Sequence, residues 1–124
     1  MTYRTRARVA EWNGQRIHCF DLSGIKDLDE AKDALRQQRE AVAGAPPGSL
    51  LTLTDVTGSV LDRATLRAVM EQVIHNKPLV QAAAVVGLSD AQRRGLMDIE
   101  RVSAREFTTF DSVEQARDWL AAQA

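Results

Sequence analysis

Two strand-like runs of hydrophobic residues open the chain, and a turn dipeptide separates them. In RVAEWNGQRIHCFDL the runs lie on either side of Asn13-Gly14. Both residues tolerate positive φ, which makes the pair a strong signal for a two-residue hairpin turn. Arg4, Arg6 and Arg8 alternate before this turn. In an extended strand they would share one face, where charge on an edge deters edge-to-edge pairing. The sequence therefore predicts an N-terminal β-hairpin with a charged edge.

Hydrophobic residues recur at helical spacing in four later segments, and each segment begins at a capping residue. We expect helices to begin at Asp27, between Ser59 and Asp62, at Ser89 and at Asp111. Each helix should bury one apolar face. In the second and third helices, the residues predicted to face the core are Leu66, Val69, Met70, Val73, Ile74, Leu96, Met97 and Ile99. In the last helix they are Val113, Ala116, Trp119 and Leu120.

Three further strand patterns alternate with these helices: SLLTLTDV, LVQAAAVVG and REFTTF. The second is a short apolar run between a proline and a glycine, which is typical of a central parallel strand covered on both faces. In the first, Leu51 and Leu53 alternate with Thr52 and Thr54, which indicates that part of the sheet is only half covered. The order β-β-α-β-α-β-α-β-α predicts an α/β fold, with a mostly parallel mixed sheet and right-handed crossovers.

Length and charge narrow the class of protein. The 124 residues fit a single domain spanning 1–124. Because 16 basic and 17 acidic residues nearly cancel, no net field attracts nucleic acid or an anionic membrane. No apolar run approaches the about 20 residues of a membrane span, and the N-terminus lacks the apolar core of a secretory signal. The lone cysteine, Cys19, cannot form an internal disulfide. We expect a cytoplasmic protein.

The two histidines do not form the pattern of a metal site or a nucleophilic site. His18 and His75 are far apart in the sequence, and neither has a cysteine or an acid at ligand spacing. His18 and Cys19 are neighbours on a predicted strand, so their side chains should point to opposite faces. We therefore predict no metal, no cofactor and no catalytic residue from these positions.

Three segments carry a resemblance to a known family. They are RIHCFDLSGIKDLDEAKDAL, LLTLTDVTGSVLDRATLRAVM and AAAVVGLSDAQRRGLMDIERVSAREFTTFDSVEQARDWL. In the order of their elements they resemble the STAS domain of sulfate transporters and anti-sigma factor antagonists, and within it the SpoIIAA-like branch. The resemblance covers nearly the whole chain. It implies a STAS-like fold and a non-enzymatic regulatory domain of bacterial-type signalling, which binds a protein partner or a second copy of itself.

In signalling members of that family, the loop after the third strand carries an Asp-Ser-Ser-Gly motif whose serine a partner kinase phosphorylates. The equivalent loop here reads DVTGSVLD. Asp62 stands near the acid position, but Arg63 and Ala64 replace the hydroxyl residues. Thr57 and Ser59 are nearby hydroxyls rather than matching ones. The resemblance therefore implies partner contacts in this loop but no matching phosphoswitch.

The loop residues Asp55, Thr57, Gly58, Ser59 and Asp62 are the candidate partner-binding or phosphoacceptor positions. A loop that leads into a helix N-terminus presents free N–H groups and a positive dipole end, so a phosphate on Ser59 would be stabilised there. The simpler interpretation is that Gly58 makes the turn and Ser59 caps the helix.

Two other classes of function remain as alternatives. SpoIIAA-like domains are similar to the CRAL-TRIO lipid-transfer fold, and a half-covered sheet would leave a groove for a small apolar or anionic ligand. DVTGS also resembles the phosphorylated-aspartate loop of haloacid dehalogenase-like phosphatases, with Asp55 as the nucleophile. That chemistry needs a lysine and Mg²⁺-binding acids in matching motifs, and the sequence offers none.

Overall fold

The computed structural model describes residues 4–123, in which strands and helices follow the predicted order. The strands are β1 (Ala7–Trp12), β2 (Gln15–Asp21), β3 (Leu50–Asp55), β4 (Val80–Val86) and β5 (Thr108–Phe110). The helices are α1 (Leu28–Ala41), α2 (Arg63–Asn76), α3 (Asp90–Ser103) and α4 (Val113–Ala121), and a 3-10 turn at Lys77–Leu79 joins α2 to β4. Residues 1–3 and 124, which belong to the predicted domain, lie outside the described range.

The five strands form one sheet in which their spatial order follows the chain. β1 pairs antiparallel with β2, and every later neighbour pair is parallel. The hairpin turn is made by Asn13 and Gly14, with φ of 50° and 79°. β4 lies between β3 and β5, and its residues 82–86 are buried. The predicted hairpin and the predicted central parallel strand are both confirmed.

Helices cover the two faces of the sheet unequally. Right-handed crossovers between parallel strands that advance in one direction place α1, α2 and α3 on the same face. α4 covers the other face, where its core residues Ala116 and Leu120 pack against Leu51 and Leu53 of β3. The alternation along β3 therefore has a structural meaning, since the leucines face α4 while the threonines face α2.

The helix caps follow the sequence closely, with one shift. Asp27, Asp62 and Ser89 cap α1, α2 and α3 as predicted. The predicted cap of α4 at Asp111 is wrong by one residue, because Ser112 accepts the hydrogen bond from the backbone N of Gln115 at 3.2 Å. Within residues 4–123, no helix combines the length and the apolar character needed to cross a bilayer.

The predicted buried faces of α2 and α3 need correction. Ile74 is 47% exposed and Met97 is 66% exposed, although both were expected in the core. α2 instead buries the polar side chains Thr65, Gln72 and Asn76. Hydrophobic periodicity locates an apolar stripe on a helix, but it does not fix how the helix is rotated against two neighbouring helices. Here α2 packs between α1 and α3 and turns polar groups inward.

The alternating arginines do not form a uniform charged edge. Arg8 is exposed on β1, whereas Arg6 is only 4% exposed. The guanidinium of Arg6 donates to the carbonyl oxygen of Ser23 at 2.8 Å and lies 3.7 Å from Asp21 and 3.6 Å from Glu30. Arg6 precedes β1 and fastens the N-terminal segment to the loop after β2.

Candidate functional site

The predicted loop lies at the carboxyl end of β3 and is held in a tight turn by its own side chains. Asp55 Oδ1 accepts hydrogen bonds from the backbone N of Thr57 at 2.9 Å and from Thr57 Oγ1 at 2.6 Å. Gly58 follows with φ of 71°, a conformation that favours glycine. Asp55 is half-buried and Thr57 is exposed. The Asp55 carboxylate is thus occupied on one oxygen by this turn.

The neighbouring strand, β2, ends in a second turn of the same kind. This turn was not among the predicted site residues. Asp21 and Asp55 are register partners at the ends of β2 and β3. Asp21 Oδ1 accepts hydrogen bonds from Ser23 N at 2.8 Å and from Ser23 Oγ at 2.5 Å. The repeated pattern of aspartate, apolar residue, hydroxyl residue and glycine in DLSG and DVTG was the available signal. Two matched turns therefore lie side by side at one end of the sheet.

The carboxyl group of Asp21 has a lowered pKa. Partial burial raises the pKa of Asp21, but the hydrogen bonds from Ser23 and the charges of Arg4 and Arg6 together outweigh it. Arg4 lies 3.3 Å from the Asp21 carboxylate at the surface. Asp21 consequently remains ionised at neutral pH and anchors the N-terminal segment.

Ser59 points inward rather than to the surface. Its side chain is 8% exposed. Ser59 Oγ accepts a hydrogen bond from the backbone N of Ile25 at 3.1 Å and donates one to the carbonyl oxygen of Leu22. Ser59 therefore joins the loop after β3 to the loop after β2, and it does not cap α2 as the simpler interpretation expected. A kinase would reach this hydroxyl only after the two loops separate.

Asp62 is the residue that caps α2. Its Oδ1 accepts a hydrogen bond from the backbone N of Thr65 at 2.8 Å. The hydrogen bond from the backbone N of Thr65 lowers the pKa of Asp62, which keeps the cap ionised beside the positive end of the helix dipole. The five candidate residues thus lie along one loop, but they do not converge on a common pocket. None of the five lines the cavity that lies deeper in the same layer.

A cavity of about 100 Å³ lies between the sheet and α2, and we call it the α2 cavity. From the sheet it is lined by Thr52, Thr54, Ala83 and Val85. From α2 and α3 it is lined mainly by aliphatic residues, namely Leu66, Val69, Val73, Leu96 and Ile99. Part of the aliphatic stripe predicted for α2 therefore borders a cavity, although Val69 also packs against the core formed with α1.

The small residues on this side of the sheet explain why the space stays open. Thr52 and Ala83 are register partners on β3 and β4, and neither reaches far from the sheet. α2 is packed against α3 on one side and bonded to α1 on the other. Gly95 of α3 meets Leu66 so closely that a Cβ on Gly95 would lie 2.8 Å from a Leu66 methyl group. On the other side, Gln72 donates to Leu35 O of α1 at 3.0 Å.

Most buried polar groups around the cavity are satisfied, and one is not. Gln72 Oε1 accepts from Arg39 Nε at 3.1 Å, in addition to the bond that Gln72 donates to α1. Gln92 donates to the carbonyl oxygens of Val56 and Ser59 at 3.1 and 2.9 Å. Asn76, which is 7% exposed, has no hydrogen-bond partner for Oδ1. An unpaired buried amide is costly and calls for an explanation.

His18 and Cys19 lie on opposite faces of β2, and the described acidic side chains are not grouped as metal ligands. Within residues 4–123, no three His, Cys, Asp or Glu side chains lie close enough to share a metal ion. His18 lies on the α1 side, with its ring 6.4 Å from that of Phe20, while Cys19 packs against the α4 core. Burial raises the pKa of the Cys19 thiol, which disfavours its reactive thiolate.

Comparison with known proteins supports the fold. No protein-family model matches the chain, and no curated protein matches it either. The chain is similar to a solved structure of an uncharacterized protein of the DUF3478 family with a SpoIIAA-like fold, from Shewanella loihica PV-4. The two share 15% sequence identity and a TM-score of 0.72, over 97% of this chain and 98% of that one. The chain therefore has the SpoIIAA-like fold that the sequence resemblance implied.

Proposed function

We propose that the protein is a binding protein for a small, mainly apolar ligand, which it holds in the α2 cavity. The observation that carries the proposal is an apolar space under a helix whose buried residues include an unpaired amide. Ligand sites in proteins are typically apolar concavities with a few convergent polar groups. The solved structure with the same fold is itself uncharacterised, so the proposal depends on the cavity alone.

The size of the α2 cavity limits which ligands can bind without a movement of α2. At about 100 Å³ it is smaller than the 300–1,000 Å³ of most drug-sized sites. An apolar cavity of about 150 Å³ is enough for benzene. The α2 cavity is smaller than that, so a chain of more than a few carbon atoms requires α2 to shift outward from the sheet.

Binding of a homologous series of 1-alkanols, from butanol to decanol, tests this proposal. Titration calorimetry of the folded protein should give an affinity that rises with chain length and then levels off when the cavity is full. Native mass spectrometry of freshly purified protein should show an added small molecule. Ala83→Leu, which places a larger side chain in the cavity, should abolish alkanol binding. Val9→Leu, at an exposed position on β1, is the matched control and should bind like wild type. No measurable binding of any alkanol would remove the proposal.

A second candidate function is protein binding through the predicted loop, and one observation supports it. Val60 is 58% exposed beside the buried Ser59, and its backbone N donates to Ile25 O at 2.8 Å. The loop thus presents an apolar side chain from a fixed backbone, which suits partner binding or self-association. Sedimentation of wild type, Val60→Ser and Ser59→Glu, alone and with a candidate kinase or sigma-regulator, tests this surface. Identical behaviour of all three would exclude it.

A further inference from the structure

One end of the α2 cavity differs chemically from the rest. Asn76, Lys77 and Arg105 all line it where α2 ends and the 3-10 turn leads into β4. Toward the start of α2, at the other end of the cavity, the lining includes Leu61, Leu66 and Leu88, together with the amide of Gln92, which is already bonded to two carbonyl oxygens. α2 has 14 residues, which corresponds to about 20 Å from one end to the other. The cavity is therefore amphipathic along the helix axis.

Arg105 supplies the positive charge at the polar end. Its guanidinium donates to the carbonyl oxygen of Val80, the first residue of β4. Among residues 4–123, no Asp or Glu carboxylate lies within ion-pair distance of Arg105. Burial lowers the pKa of Arg105, although the group remains charged at neutral pH. A partly desolvated guanidinium without a counter-charge is a site for an anion.

Asn76 adds the second polar group. Its Oδ1 is buried without a partner, while Gln72, one turn earlier on the same helix, is bonded at both ends of its amide. Rotation of the Asn76 amide by 180° exchanges its oxygen and nitrogen, so the group can donate or accept at that position. With the amide turned so that Nδ2 takes the place of Oδ1, a carboxylate between Asn76 and Arg105 would accept hydrogen bonds from both groups, and Arg105 would keep its bond to Val80 O.

We infer that the α2 cavity binds a short aliphatic carboxylate, with the alkyl chain toward Leu61 and Leu66 and the carboxylate between Asn76 and Arg105. This inference rests on the proposed ligand binding and adds the class of head group. Lys77, which is exposed at the mouth of the same end, adds positive charge outside the buried pair.

Octanoate and 1-octanol separate the head group from the chain, because they share a chain length and differ in charge. Titration calorimetry at pH 7.5 should show tighter binding of octanoate to the wild-type protein. Arg105→Met should weaken octanoate binding at least about tenfold and change octanol binding by less than about twofold, since only octanoate loses a charge-assisted hydrogen bond. Asn76→Asp, which has nearly the same shape, should also weaken octanoate alone. Arg101→Met is the control, because Arg101 is 78% exposed on α3 and pairs with Asp98.

The outcomes test the carboxylate assignment separately from the proposal that the α2 cavity binds an apolar ligand. Equal binding of octanoate and octanol, with no effect of Arg105→Met, would overturn the carboxylate assignment and leave an apolar ligand site. Failure of both probes to bind would overturn both. If Arg105→Met does not fold, as judged by circular dichroism, Arg105→Lys and Asn76→Asp carry the test. Arg105→Lys should then retain the preference for octanoate and Asn76→Asp should lose it, and the reverse would contradict the inference.

Discussion

Thr57 lies so close to Gly87 that a Cβ atom on Gly87 would be 1.9 Å from Thr57 Oγ1 and 3.0 Å from Thr57 Cα. Gly87 also has φ of 81°, in the left-handed region. The turn after β4 therefore packs directly against the loop after β3, and position 87 requires glycine for two separate reasons.

Gly87→Ala should destabilise the protein much more than Gly58→Ala. Gly58 has φ of 71°, but a Cβ there would meet nothing within 4 Å. Its replacement should cost only the left-handed conformation, about 1–2 kcal/mol. Gly87→Ala adds a steric clash, for which overpacking costs about 1–3 kcal/mol more. Urea unfolding of the two variants gives both free energies. Equal losses would show that the two loops do not pack as described.

Arg6→Ala should be strongly destabilising, whereas Arg8→Ala should change the free energy of unfolding by less than about 0.5 kcal/mol. Arg6 is buried and bonded to Ser23 O. Its removal takes away one of the two donors to that carbonyl, the other being Arg4 at 2.9 Å, and reduces the charge opposite Asp21 and Glu30. We expect a loss of about 2–4 kcal/mol for Arg6→Ala, since groups that lose a charged partner retain their desolvation cost. Chemical denaturation of both variants measures the difference. Similar small losses of free energy in both variants would mean that Arg6 and Arg8 both lie on an exposed charged edge, as the sequence predicted.

The features that sequence patterns predicted well are local ones. Asn13-Gly14 sets the hairpin because both residues take positive φ, and the Ser89 capping box involves only residues three apart. The apolar run of β4 identified a central strand because strands buried on both faces have no polar alternation. The order and direction of the strands and the positions of most helix caps could therefore be predicted from interactions between residues close in the sequence.

The candidate site depended on contacts between distant residues, which single-sequence patterns do not report. Ser59 is buried because Leu22 O and Ile25 N, which lie 37 and 34 residues away, bind its hydroxyl. Similarly, the inward rotation of α2 depends on the bond from Gln72 to Leu35 O, across 37 residues. The cavity lies between α2 and the short side chains of Thr52 and Ala83, so the threonine alternation on β3 indicated open space without locating it.

Ala83→Leu and Ala84→Leu should change the free energy of unfolding by amounts that differ in sign or size, although the two residues are neighbours on β4. Successive strand residues point to opposite faces. Ala83 lines the α2 cavity, whereas Ala84 is 1% exposed in the core against α4. Filling a cavity often stabilises by about 0.5–2 kcal/mol, whereas overpacking a filled core costs about 1–3 kcal/mol. Thermal unfolding of the two variants compares them directly. A large loss for Ala83→Leu would mean that the space over β4 is not available.

The free energy of unfolding should fall as the pH is lowered below about 6.5, in part because of His18. Burial, and to a smaller extent the charge of Arg16, lowers the pKa of His18 in the folded protein. The unfolded chain therefore binds a proton at a higher pH than the folded one. Above the pKa that His18 has in the unfolded chain, protonation of this residue does not affect the free energy of unfolding. As the pH falls from that value toward the lower pKa of His18 in the folded protein, the free energy of unfolding decreases progressively. The loss should be less than about 1 kcal/mol, because the imidazole is partly exposed and solvent screens it. His18→Gln should flatten the slope of urea-unfolding free energy between pH 7.5 and 5, while His75→Gln, which leaves His18 in place, should retain it. An unchanged slope in His18→Gln would assign the acid sensitivity to other groups.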